Sequence, residues 1–149
     1  MKRFTLVASA LAVFATSALA AEDPIAIRKA LMQANGAGAG IAGGVLKGEL
    51  EYSPTIGKAS IAAMNAAAQA YSSFLPEGSD DDPRTSVSPK IWEDKVGFEA
   101  LMEKFRAATS AAMEASGKDG PADAEAFAAA VKPVLGSCKG CHEDYRIKK

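Results

Sequence analysis

An all-α fold, an antiparallel four-helix bundle, is what this sequence predicts, and three observations predict it. Hydrophobic residues make up 48% of the 149 residues but aromatics only 7%, and alanine and glycine are abundant. That composition suits close helix packing better than a β-sandwich. No period-two alternation is long enough for a strand, whereas four segments carry apolar residues at steps of three and four, joined by short links. The length suits one domain with a real core. A formal charge of −1 offers no basic surplus for nucleic acid. The single histidine, His142, excludes any site that needs two imidazoles.

The first segment is an address. Lys2 and Arg3 form a positive start, Phe4 to Phe14 is almost wholly apolar, and Ala18-Leu19-Ala20 fits the small-x-small pattern cleaved before Ala21. A retained membrane anchor is the rival reading, but an apolar stretch running into a cleavage pattern fits export with removal better. Residues 1–20 are therefore expected to be a secretory signal and residues 21–149 the mature domain. Removal takes the 17 basic and 18 acidic side chains to 15 and 18, a formal −3. No later stretch is long and apolar enough to span a bilayer, so the mature form is expected to have no membrane segment. A bacterial type of signal places it in the periplasm, an oxidising compartment where two thiols rarely stay idle.

Asp23-Pro24 opens the first helix as an acidic N-cap followed by proline at the first helical position. Ile25, Arg28, Leu31, Met32, Asn35, Ala39, Ala42 and Leu46 share one face. Glycines 36, 40, 44 and 48 each cost about 1 kcal/mol against alanine inside a helix, so close approach of another surface is expected to compensate. Pro54-Thr55 opens the second helix, with Ile56, Ala63, Ala67, Ala70, Tyr71 and Phe74 on its inner stripe. Pro76 to Pro89 reads as a polar connection whose acidic run, Asp80 to Asp82, is solvated. Ser88-Pro89 leads into the third helix, where Phe98, Leu101, Met102, Phe105, Ala108 and Ala112 keep the helical period. Gly117 to Gly120 ends it and Pro121 opens the fourth, with Phe127, Val131, Val134, Cys138, Cys141 and Tyr145 on one stripe. Pro133 lies inside that pattern and is expected to bend or divide the helix.

Cys138-Lys139-Gly140-Cys141-His142 carries the chemistry. Two cysteines at i and i+3 project from one helical face, a spacing that reaches the two vinyl groups of one haem, and the next residue offers an imidazole to the iron. Three other readings compete. A structural zinc site needs four ligands, and no further cysteine or histidine exists. A thioredoxin-like pair expects a βαβ setting that this helical sequence lacks. A plain disulfide leaves the adjacent histidine unexplained.

A C-terminal C-x-x-C-H on a four-helix chain resembles the class II c-type cytochromes, the cytochrome c' family. The best-matched parts are Arg28 to Asn35, Pro89-Lys90-Ile91-Trp92 with Phe98 and Phe105, and Cys138 to Arg146. The resemblance covers essentially the whole mature chain. It implies haem c inside the bundle near the C-terminal helix, attached at Cys138 and Cys141, with His142 as proximal ligand. In five-coordinate members a non-ligating apolar residue blocks the distal side, four residues after a first-helix arginine. Arg28 matches that arginine, and four positions on stands Met32. Leu31 to Gly36, with Leu46-Lys47-Gly48-Glu49, is similar to the low-spin, cytochrome c-556-type branch, which uses a methionine there as sixth ligand.

From spacing alone, a methionine on an apolar stripe is more often filler than ligand, and Met64 and Met102 also lie near inward stripes while Met113 is near a helix end. What the resemblance implies is a non-enzymatic carrier of single electrons between transient redox protein partners, with His142/Met32 ligation. The alternative is a five-coordinate cytochrome c' that binds nitric oxide or carbon monoxide, with Met32 a mere lid. Around the haem, Arg28 is expected near a propionate, Phe74 and Tyr145 against the ring, and Arg146 near the proximal face. Trp92, Phe98, Phe105 and Phe127 read as core. Lys139, Arg146, Lys148 and Lys149 cluster near the attachment site in an acidic protein and can steer an acidic partner. Family resemblance also implies a possible homodimer through the first two helices.

Overall fold

The computed structural model describes residues 23–148, so the signal segment expected over 1–20 and the terminal Lys149 lie outside the described residues. Four long helices form the molecule: α1 (Pro24–Leu46), α2 (Pro54–Ala70), α4 (Lys95–Ser116) and α5 (Ala124–Tyr145). A single turn, α3 (Lys90–Glu93), precedes α4, and a 3-10 turn (Tyr71–Phe74) extends α2. Among the described residues there is no strand, only one bridge between Val87 and Arg146.

Each helix start follows from a side-chain cap. Asp23 accepts from the backbone N–H groups of Ile25 and Ala26 at 3.0 and 3.2 Å, with Pro24 as the first residue of α1. Ser53 accepts from Ile56 N–H at the start of α2, and Asp94 from Gly97 N–H at the start of α4. The expected third helix is in fact broken at Asp94, whose φ of −127° and ψ of 61° leave the helical region so that its carboxylate can cap. The fourth starts at Ala124, capped by Asp123, and not at Pro121. Pro133 does not divide α5; it lies on the exposed face, where water can reach the carbonyl that its missing N–H leaves free.

The helices alternate in direction. The C-terminal half of α1 (Ala42, Val45), the middle of α2 (Ile61, Met64), the end of α4 (Ala112) and the first half of α5 (Phe127, Val131, Val134) meet in one buried cluster. A second cluster at the opposite end joins Val87, Ile91, Phe98, Met102 and Tyr145. Adjacent packing runs α1 on α2, α2 on α4 and α4 on α5, while α1 and α5 touch little. The ring of helices is thus open on one side.

Small residues decide how close the helices come. A Cβ at Gly38 would stand 2.7 Å from the Ser60 carbonyl, and Ser60 Oγ donates to the Gly38 carbonyl at 2.8 Å, clasping α1 to α2. Gly44 meets Leu50, and Gly48, beyond the helix end, has a φ of +73°. Gly36 and Gly40 have nothing within 4 Å, so close helix packing does not account for them. The inner stripe of α2 also differs from expectation. Ile56 is 40% exposed, and Gly57 faces inward instead, because Tyr52 and Phe127 fill the space its side chain would need.

The 76–89 connection is fastened rather than merely solvated. Arg28, only 2% exposed, donates from Nη1 to the Phe74 carbonyl (3.3 Å) and Ser79 Oγ (2.7 Å). Its Nη2 donates to the Ser79 carbonyl (2.7 Å) and Thr85 Oγ1 (2.6 Å). Within the acidic run, Asp82 is held by Arg84, which also reaches Asp23. Farther along, Ser88 N–H donates to the Tyr145 carbonyl and Ile147 N–H to the Ser86 carbonyl. Arg28→Ala leaves several of these acceptors without a donor and is expected to cost about 3 kcal/mol, lowering Tm by roughly 10 °C; thermal denaturation followed by circular dichroism checks this.

Tyr145 is fixed from two sides. Its hydroxyl donates to Asp94 Oδ2 at 2.7 Å, and its ring meets Phe98 edge-on at 5.4 Å. The Tyr145 hydroxyl, then the Gly97 N–H, hold the Asp94 carboxyl below its ordinary value of 3.8. A lowered folded-state value means that the ionised form stabilises the fold above the ordinary value, and that this contribution fades as pH falls through the lower one. Tm of wild type should therefore exceed that of Asp94→Asn at neutral pH, and the two should converge below the carboxylate range. A gap that persists in acid would refute the charged hydrogen bond.

Candidate cofactor site between α1 and α5

Where α1 and α5 fail to touch, the bundle encloses a cavity of about 510 Å³, well within the size of small-molecule and cofactor pockets. Helical periodicity builds both walls. On α5, Cys138, Cys141, His142 and Tyr145 lie at i, i+3, i+4 and i+7 and all line the cavity. On α1, Lys29, Met32, Gln33, Asn35, Gly36 and Ala39 line it. Ile91, Phe98, Leu101, Met102, Phe105 and Tyr71 supply a mostly apolar floor, and Ser86 and Val87 of the fastened connection close one side. Gly36, unexplained by helix packing, borders this space.

Both cysteines are free and half-buried, and burial pushes each thiol above its ordinary value. His142 is held below its ordinary value, first by desolvation and then by the Arg146 charge, so its neutral form, the one that ligates metals, is favoured. Among the described residues no three His, Cys, Asp or Glu side chains converge to hold a metal ion, so the zinc reading has no ligand set.

Of the residues singled out in the sequence, Met32, Cys138, Cys141, His142, Tyr145 and Arg146 come together around this one cavity. Arg28 and Phe74 do not line it. They are joined to each other, because the Arg28 guanidinium is spent on the Phe74 carbonyl and the 79–85 loop. The cations that do line the cavity are Lys29 and Arg146, both exposed. Tyr71 takes the aromatic place expected of Phe74, three residues earlier on the same turn. Tyr71 already stood on the predicted inner stripe of the second helix, and Lys29 was within reach of sequence reasoning because it is one helical turn from Ile25 and Met32.

The donor set fits a covalently held porphyrin. It pairs two thiols and an imidazole on one helix face with a mostly apolar cavity of about 510 Å³. A family model described as Cytochrome C' matches residues 23–146. The chain belongs to the cytochrome c' family. A cytochrome c' of Rhodopseudomonas palustris is 35% identical over 132 residues, covering 89% of this chain and 87% of the relative. A cytochrome c-556 of Agrobacterium tumefaciens is also 35% identical, over 123 residues, or 82% and 93% of the two chains. Among solved structures, Rhodopseudomonas palustris cytochrome c' aligns with a TM-score of 0.74 at 35% identity, covering 86% of this chain and 98% of that one. Cytochrome c prime from Shewanella frigidimarina aligns at 0.75 with 26% identity, covering 85% and 95%. This cytochrome, like its family, is a mono-haem c-type protein with covalently attached haem c. The described residues of the cytochrome include no helix long and apolar enough to cross a membrane.

Proposed function

We propose that this cytochrome is a periplasmic carrier of single electrons, with haem c attached at Cys138 and Cys141 and ligated axially by His142 and Met32. Bound haem c supplies the ferric–ferrous couple; the chain's residues decide how it is held and who reaches it. One observation carries the reading: Met32 shares the cavity with His142. Met64 is 1% exposed in the opposite core cluster, and Met113 packs against that cluster. Met102 lines the cavity but is 3% exposed and packed into the Phe98–Tyr145 cluster on α4. Met32 is the half-buried thioether on the wall contributed by α1. A soft, neutral sulfur favours ferrous iron and closes the coordination sphere, so little rearranges when an electron moves.

Lys29 and Arg146 offer their charges to the carboxylates of the cofactor at the cavity edge, the part first read for Arg28. Exposed Lys139, Arg146 and Lys148, interleaved with Glu143 and Asp144, leave a net positive charge at this end of an acidic protein for a transient acidic redox partner. Removal of the signal over 1–20 delivers the mature chain to the periplasm. Leu46, Leu50 and Ile56, 37%, 47% and 40% exposed around the α1–α2 turn, are apolar surface that a homodimer through these helices would cover. The function is that of a carrier and not of an enzyme. The test is an optical spectrum of the reduced protein with and without carbon monoxide. Inertness supports the His142/Met32 carrier, whereas ready binding with a high-spin spectrum makes the protein a five-coordinate, gas-binding cytochrome c'.

A further inference from the structure

Asn35 sits where its chemistry has no partner. It is 8% exposed, it lines the cavity, and its Oδ1 is sealed from solvent with no donor in reach. An orphaned amide oxygen costs stability that leucine at the same place would not. Ala39, Leu101 and Met102, which line the same cavity, are apolar and offer Oδ1 no side-chain donor. A half-turn of the amide exchanges its two ends. The sealed position then holds the Nδ2 donor, and Oδ1 takes the place of Nδ2, which is not sealed off. A donor there needs an acceptor.

Met32 supplies one. Residues at i and i+3 of a helix are neighbours, and helical side chains lean toward the N-terminus, so Asn35 extends over the turn that carries Met32. We propose that Asn35 is a positioning residue for the Met32 thioether, donating from Nδ2 to one lone pair of Sδ while the other faces the iron. This rests on the reading of Met32 as axial ligand. The hydrogen bond holds the sulfur in one rotamer and draws electron density from it, which favours the ferrous state of the completed site.

The test uses the holoprotein with Asn35→Leu and, should leucine not be accommodated, Asn35→Ala. Both variants are expected to remain low-spin with a lower midpoint potential. At the potential that half-reduces wild type, their ferric-to-ferrous ratio should rise roughly twofold to tenfold, the worth of one neutral hydrogen bond. Nuclear magnetic resonance of reduced wild type should show an Asn35 side-chain amide proton protected from exchange. A low-spin variant with the wild-type potential and an unaltered sulfur-to-iron charge-transfer band overturns this proposal and leaves Met32 ligation standing. A wild-type protein that is high-spin when reduced overturns both.

Discussion

Cys138→Ala/Cys141→Ala, which removes both attachment points, is expected to abolish most of the cooperative unfolding transition. The open side of the bundle encloses about 510 Å³. Without an occupant, its mostly apolar walls are left exposed to water, and apolar area withheld from burial costs about 25 cal/mol per Å². Such a slot does not stay open without its occupant; Ile91, Phe98, Leu101 and Phe105 would collapse into it or be wetted. A ligand held only by the folded arrangement stabilises that arrangement alone. Urea titration of variant and wild type, followed by circular dichroism, should show a large fall in midpoint and a broadened transition. Equal midpoints would show that the bundle stands without its cofactor.

Met32→Ala carries the second large effect. Replacing the thioether by a methyl group should convert a closed, low-spin site into an open, high-spin one that takes carbon monoxide readily. Neither the bundle nor the attachment should suffer, since Met32 is only half-buried and lies outside both buried clusters. A variant with the wild-type absorption spectrum would exclude sulfur as the sixth ligand.

The capping signals made much of this legible in the sequence. Asp23-Pro24 and Pro54-Thr55 mark two helix starts because proline suits the first helical position whatever the tertiary context, although the Ser53 cap before Pro54 was not read. The cavity wall on α5 was legible for the same reason: periodicity alone puts Cys138, Cys141 and His142 together. Tertiary hydrogen bonds were not. Arg28 has the sequence position of a haem partner, yet its guanidinium turns to Ser79 and Thr85, more than fifty residues away in the chain, and no local pattern encodes that choice. The break at Asp94 was hidden likewise, since the carboxylate both caps α4 and accepts from Tyr145 across the bundle. The α2 stripe was read through Ile56, whereas Gly57 faces inward, because Tyr52 and Phe127 occupy the space there and nothing local in the sequence encodes that packing.

The apolar interior is split in two, one part around Phe127 and Val131 and the other around Phe98 and Tyr145. Each part answers to a different selective demand. The first must satisfy only itself, so its composition can drift within the limits of volume. The second shares its space with the cavity, and Phe105, which packs against both parts, carries any change there toward the other.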